Sequence, residues 1–411
     1  MTALYLYDDA VARRLEPFAS TRPVSELRAG ALLIRERWCA ALQLEEAHFL
    51  AGDRHRDFDE PGAAHSAHGL IPAGSIVANA RCAPALPSDT AHARRSGATC
   101  SMWRSGSELA AVRLREPVDA AAFADGTITL ESLHAGTGGI GDVHGHWISD
   151  VWDFIRWLPD QLADDIERLP TSTEHRTPLP EHVTVLGERS ITIANGVSIE
   201  PHVVLDATDG PILIESGARI HAFTRLIGPC YIGRETNVLG GEIGGCSIGA
   251  VCKVRGEMSG TIMLGHSNKG HDGFVGHSYL GRWVNLGAGT ITSNLKNTYG
   301  SVSLWTPAGV RDSGLQFLGT MFGDHVKTGI GLRLTTGCVL GAGANVYGEM
   351  PPKVVAPFSW GGAPPYDLYD AGKFADAAAR MMARRHVELT ASGRRHLAVV
   401  HAARWRVEAS R

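Results

Sequence analysis

The sequence predicts a two-part fold: an α/β layer domain in the N-terminal half, then a triangular parallel β-solenoid that ends in a proline-rich strap and a helical tail. Three observations predict it. At 411 residues the chain is too long for one ordinary compact core. Its 48 glycines crowd into the second half. In that half, aliphatic residues recur six positions apart, at Ile214, Ile220, Leu226, Ile232 and Val238.

In chain order, residues 1–155 alternate strand-like apolar runs (ALYLY, GALLI, SIVANA, AAVRL) with a helix-like stretch at RERWCAALQLEEAHF, the pattern of an α/β layer. No glycine-rich loop follows the first strand, where YLYDDAVARRLEPF stands instead. Residues 139–182 join the halves. There Trp152, Ile155 and Leu158 fall at helical spacing, so this region reads as an interrupted helical connector, with 156–182 as the linker proper. His144 and His146 within it form an HxH pair, a weak metal signal.

The repeat fills residues 183–350. Its register slips at Ile243 and Ile248 and returns at Val254, Leu280 and Leu286, then at Leu334, Leu340 and Val346. A period of six fits neither a 3.6-residue helix nor a two-residue alternation. It fits three short strands per coil of about eighteen residues, with the aliphatic side chain pointing inward and small residues turning each corner. After it come MPPKVVAPFSWGGAPPYD, a strap, and a tail that begins with the helical run KFADAAARMMARRHVELT and extends to residue 411.

Composition narrows the function. With 39 Lys+Arg against 43 Asp+Glu the net charge is −4, and no basic run draws the chain to nucleic acid or to an anionic membrane. Small-molecule chemistry is the better expectation. Aspartates near the start oppose a signal peptide, and no run of 18 apolar residues follows, so a soluble cytoplasmic protein is expected. Seven cysteines without a CxxC pair argue for reduced thiols.

The repeat resembles the left-handed β-helix acyltransferases, whose active sites lie between neighbouring subunits of a trimer. Within it, SNKGHDGFVGHSYLGRWVNLGAGTITSN (267–294) is similar to the acetyltransferase domain of the bifunctional GlmU enzymes, which acetylate glucosamine-1-phosphate and then uridylylate it. The whole chain resembles a divergent, shorter GlmU-like family with an atypical N-terminal sugar nucleotidyltransferase domain. The resemblance implies acetyl-CoA as co-substrate, Mg2+ with UTP for the N-terminal domain, UDP-N-acetylglucosamine synthesis, and a homotrimer.

Acetyl transfer to an amine needs a base, groups that hold the sugar, and donors for the oxyanion. The resemblance places the catalytic base on His271 and sugar- or acetyl-contacting amides on Asn285 and Asn294. It places pantetheine-contacting backbone at Ala288 and Ala342, each in a GAG corner. Where the family has a sugar-binding tyrosine this chain has Phe274, and where it has a phosphate-binding lysine it has Ser259, so Lys269, Lys296, Arg225 and Arg255 become the candidate phosphate cations.

In the N-terminal half, STRPVSELRAGALLIRERW (20–38) and NARCAP (79–84) are similar to segments of the same family. They nominate Arg22, Arg28, Asn79 and Arg81 for nucleotide binding, with Asp8, Asp9 or Glu36 as magnesium carboxylates. Two other readings stay open: a sugar-nucleotide-binding or assembly scaffold that has lost its chemistry, and a zinc enzyme of the γ-carbonic-anhydrase type built on His266, His271 and His277.

Overall fold

The computed structural model describes residues 2–88, 99–133, 135–169 and 179–407; residues 170–178 of the expected connector lie outside the described residues. Contacts divide the chain into two units. One holds Met1–Asp153 with Thr390–Val400, the other Phe154–Leu389 with His401–Arg411.

The first unit is built on a seven-stranded mixed sheet. Leu4–Tyr7 lies between Ala47–Leu50 and Ile76–Asn79, parallel to both. Ile76–Asn79 is buried at all four positions, as a strand covered on both faces must be. Glu108–Arg113 then runs antiparallel between it and Cys100–Ser105.

Three sequence expectations change here. The helix expected over RERWCAALQLEEAHF is Ile34–Leu42 only, because Gln43 turns into the left-handed region and ends it, and AHFL joins the sheet. GALLI supplies only a two-residue strand, Leu32–Leu33: Gly30 turns a short hairpin whose second arm is this strand and runs into that helix. Residues 139–147, read as helical connector, form the strands Gly139–Asp142 and Gly145–Trp147, and helix begins only at Asp153–Arg156 and Leu158–Arg168.

The second unit is a three-sided parallel β-solenoid, a left-handed β-helix. The first face runs from Thr184–Gly187 to Val275–Gly276 and the second from Ile191–Ile193 to Val354–Val355. The third begins at Ser198–Ile199 and passes through Asn268–Lys269. On the second face Ile193, Ile214, Ile232, Ile248, Met263, Leu280, Phe322, Leu340 and Val355 stack in register, each in the dry interior.

Coils are uneven. Ile214 and Ile232 are eighteen positions apart but Ile248 and Met263 fifteen, which is how the period slips near Ile243 without losing the stack. Between Leu280 and Phe322 the chain makes an excursion that carries the hairpin Ser303–Thr306/Gly309–Asp312. The strap also does more than expected, since Val354–Val355 and Ser359–Gly361 pair onto Val339–Leu340 and Asn345–Val346 and so add strands beyond residue 350.

The tail contains two helices. Ala371–Ala383 is capped by Asp370, whose carboxylate accepts the Lys373 N–H at 2.9 Å. It buries Phe374 against Phe358 and His325. The second helix, Ala391–Ala402, falls within the expected helical tail, but its residues through Val400 pack in the first unit, which was not foreseen.

Candidate functional site

His271 stands at the vertex where the third face turns into the first. The corner is built tightly. Gly273 has φ +131°, and a Cβ there would stand 2.4 Å from the Thr290 carbonyl oxygen of the next coil. The Gly289 N–H, at 3.2 Å, donates to the Asp272 carbonyl, locking the corner beneath the one that holds Ala288. The imidazole itself is exposed.

Lys269 explains why that corner is fixed. It pairs in register with Val254 at an inward position of the third face and is 2 % exposed. Its Nζ donates to the carbonyls of Arg255 at 2.7 Å and of His271 at 2.5 Å. Burial pushes the ammonium pKa down to about 8, against the pull of Asp272. The expectation that Lys269 binds a phosphate is therefore corrected: it is an internal tether of the His271 backbone.

The other expected cations divide. Arg255 lies one coil below, its Nε 3.1 Å from Asp272 and its Nη1 donating to the Leu239 carbonyl, so it belongs to the His271 corner. Arg225 sits on the first face, engaged by Asp206 at 2.7 Å and Glu242 at 3.3 Å. It is three strands before Val275–Gly276, roughly 14 Å away at normal strand spacing. Lys296 opens the excursion and donates to the Ser301 carbonyl at 2.5 Å.

Asn285 and Asn294 do not meet. Asn285 faces outward on the third face and accepts the Asn268 amide at 2.8 Å. Lys327, which sequence reading missed, is its neighbour in the next coil; burial lowers its pKa to about 8. Asn294 stands at the far end of the first face, 2.9 Å from His277 Nδ1. Burial lowers the His277 pKa, and Phe317 stacks on the ring. Phe274 and Asn294 both crowd Gly276, where a Cβ would lie 2.3 Å from the Phe274 ring and 2.7 Å from the Asn294 amide.

The two GAG corners also separate. Ala288 follows the third face, and its carbonyl accepts the Gly331 N–H at 2.7 Å. Ala342 follows the second face and is buried beneath Phe358, whose N–H it accepts at 2.8 Å. They lie at different vertices, so within one chain they do not line one channel. His266, His271 and His277 likewise occupy the three successive vertices of one coil, too far apart to share an ion, and the described residues contain no cluster of three metal-ligating side chains.

In the first unit, Asp8–Asp9 and Asn79–Arg81 follow the adjacent parallel strands Leu4–Tyr7 and Ile76–Asn79. The chain leaves the first strand towards one edge and returns to its other side, which makes this a topological switch point, where open α/β sheets bind ligands. Arg81 grips Asp9 through Nε at 2.9 Å and Nη2 at 2.8 Å, and Asn79 donates to the same carboxylate at 2.9 Å. Burial alone would raise the Asp9 pKa, but Arg81 and these bonds bring it below the usual carboxylate range. Burial raises Asp8 to about 7; one oxygen accepts the Val24 N–H and the other has no partner among the described residues.

Arg22 and Arg28, expected at a nucleotide, are buried and turned inward: Arg22 makes a two-bond pair with Glu60, and Arg28 donates to the Ala31 carbonyl. Glu36 caps its own helix through the Leu33 N–H at 2.8 Å. With Asp9 held by Arg81 as well, these carboxylates form no protein cage for magnesium. What sequence reading missed is a cleft of about 570 Å³ lined by Gly52, Asp53, Arg56, His68 and Asp119. The DRHRDFDE charge run directly after a strand was the available signal.

Residues 4–174 match the family model of sugar nucleotidyl transferases. A bifunctional sugar-1-phosphate nucleotidylyltransferase/acetyltransferase of Sulfurisphaera tokodaii is 34% identical over 91 residues, 22% of this chain and 23% of that protein. The bifunctional protein GlmU of Desulfitobacterium hafniense is 31% identical over 207 residues, 43% of this chain and 42% of its own. The chain thus matches less than half the length of these relatives. A solved N-acyltransferase mutant, AntD from Bacillus cereus in complex with dTDP and coenzyme A, has 14% identity and a TM-score of 0.18, covering 49% of this chain and 91% of that one. Among the described residues no helix is long and apolar enough to cross a membrane.

Proposed function

We propose that this chain, a member of the GlmU-like family, is a bifunctional transferase: its solenoid acetylates the amine of an amino-sugar 1-phosphate, and its N-terminal unit transfers a nucleotidyl group to a sugar 1-phosphate. The observation that carries the first activity is an exposed imidazole, His271, on a corner that a buried lysine holds by its carbonyl. A general base is effective when its position is fixed and its ring can reach substrate. His271 takes one proton of the substrate ammonium; the amine attacks the acetyl-CoA carbonyl, the C–S bond breaks, and a second amine proton passes to the departing sulfur, so that coenzyme A leaves as the thiol and the amide forms. The Ala288 corner, directly above, is the candidate backbone for the pantetheine arm and the oxyanion. Arg255, Lys296 and Lys327 remain the candidate cations for the sugar phosphate.

The second activity rests on the family match over residues 4–174 and on the topological switch point where Asp9, Asn79 and Arg81 meet. Magnesium enters as part of the metal–UTP substrate, and UDP-N-acetylglucosamine is the product the two steps would give together. A cytoplasmic homotrimer is part of the same reading.

Thiol release from acetyl-CoA with glucosamine-1-phosphate, and pyrophosphate release with UTP and Mg2+, test the two halves separately. His271→Ala is expected to reduce thiol release by roughly 100-fold or more while leaving pyrophosphate release intact. Unaltered thiol release in that variant would remove His271 from the mechanism, and silence of the unaltered protein across a panel of amino-sugar phosphates would favour a binding scaffold.

A further inference from the structure

The C-terminal helix Ala391–Ala402 is separated by more than 300 positions from the segment it grips. Thr390 Oγ1 donates to Asp59 at 2.6 Å, Ser392 Oγ to Asp57 at 3.0 Å, and Arg395 Nη2 to the same Asp57 oxygen at 2.8 Å. His396 is 4 % exposed, with Nδ1 3.1 Å from the Arg54 carbonyl and Nε2 2.7 Å from that of Thr21. Its ring packs edge-on against Phe58 and beside His55. All of these partners except Thr21 lie in residues 54–59. Glu60, next in line, is held by buried Arg22, whose guanidinium also covers Phe58.

That segment continues a wall of the cleft. Gly52, Asp53 and Arg56 line one side; Ser66, His68 and Gly69 line another; Asp119 to Ala121 close the third. Gly52 has φ +79°, and a Cβ there would stand 2.9 Å from the Ala124 carbonyl, so the wall has little freedom at its near end. Its far end is held by the tail. The lining offers the guanidinium of Arg56, which pairs with Asp53 at 2.6 Å, and the imidazole of His68, beside the carboxylates of Asp53 and Asp119 and several backbone groups. Phosphate takes the former and sugar hydroxyls the latter.

We infer that the C-terminal helix is a working part of the N-terminal unit: Arg395 and His396 are positioning residues that hold residues 54–59 so that the cleft can bind a phosphorylated sugar. This rests on the nucleotidyl-transfer reading. Loss of the grip relaxes the wall and weakens sugar-phosphate binding more than it slows the chemical step, because the switch point at Asp9, Asn79 and Arg81 is untouched.

The test uses the full-length protein carrying Ser392→Ala with Arg395→Ala, and, from the opposite side, Asp57→Asn. Each is expected to raise KM for glucosamine-1-phosphate in pyrophosphate release by roughly three- to tenfold with kcat within about twofold, while acetyl-CoA-dependent thiol release stays unchanged. Arg395→Lys should recover part of the loss. Amides of residues 54–60 should exchange with deuterium faster in both variants, and glucosamine-1-phosphate should protect them less. Unchanged KM and unchanged exchange overturn the inference, as does a fall in kcat at constant KM. If the unaltered protein releases no pyrophosphate, the nucleotidyl reading itself fails. The exchange measurement then decides alone: protection by glucosamine-1-phosphate that the variants lose supports the grip, and equal or absent protection in all three proteins refutes it.

Discussion

Replacing Lys269 by Met isolates the energetic role of a lysine at a position the six-residue period reserves for an aliphatic side chain. Burial brings its ammonium down to about 8 from the 10.5 expected in an unfolded chain. Between those values the unfolded state binds more protons than the folded one, so stability rises with pH across that window and the burial cost is greatest below it. At 1.36 kcal/mol per pH unit, that cost is roughly 3 kcal/mol. Methionine keeps an unbranched apolar stem over Val254 and removes both the charge and the bonds to the Arg255 and His271 carbonyls, each worth about 1.5–3 kcal/mol. At pH 7 the two changes largely offset. By pH 10.5 the native lysine is neutral, still donates two N–H groups, and has regained roughly 3 kcal/mol relative to the variant. Urea unfolding of both proteins by tryptophan fluorescence from pH 7 to 10.5 measures this, and Lys327 contributes equally to both curves. A stability difference that stays flat to within about 0.5 kcal/mol, or shrinks with pH, refutes the placement of a charged Lys269 in the solenoid interior.

Two further outcomes follow from single groups. Asn294→Asp puts a carboxylate where an amide now faces His277 Nδ1, so the His277 pKa, lowered by burial, should move upward by about one pH unit in an NMR titration; an unmoved resonance would contradict the contact. Asp8, raised by burial to about 7, makes the folded state bind more protons than the unfolded one between pH 4 and 7, so stability falls as pH rises through that window. Asp8→Asn should therefore gain stability relative to the native protein over the same range, read from denaturation midpoints at pH 4, 5.5 and 7.

The solenoid was legible in the sequence because a period of six suits a three-sided coil, and Ile214 and Ile232 do stack as that period requires, while Ile248 keeps the stack across a shorter coil. The site was less legible, for two reasons. Register decides whether a side chain points in or out, and nothing local to NKG distinguishes inward Lys269 from a surface cation; only its pairing with Val254 does. Vertex identity is also hidden. LGAGTI and LGAGAN are the same words, yet the excursion and the uneven coils set Ala288 and Ala342 at different corners. In the N-terminal unit the strand cores were readable, but Arg22 and Arg28 were not recognisable as internal because their partners, Glu60 and Ala31, are set by tertiary folding.

The separation of His271 from Asn294 leads to the most discriminating experiment. One stands at the start of the first face and the other at its end, with Val275–Gly276 between them. A sugar phosphate bound at His271 in one chain therefore cannot also rest on that chain's Asn294, whereas the vertex of one copy can meet a face of the next when three copies close around an axis. If both residues serve acetyl transfer, they come from different chains. His271→Ala and Asn294→Ala homo-oligomers should each be nearly inactive. Co-refolded in equal amounts, they should regain activity, because about a quarter of the interfaces then pair an intact histidine with an intact asparagine. Thiol release from acetyl-CoA is the assay. If both residues came from one chain, no site in the mixture would be intact and the activity would remain at the level of the parents. If Asn294→Ala alone were fully active, Asn294 would have no part in the site and would serve only to seat His277.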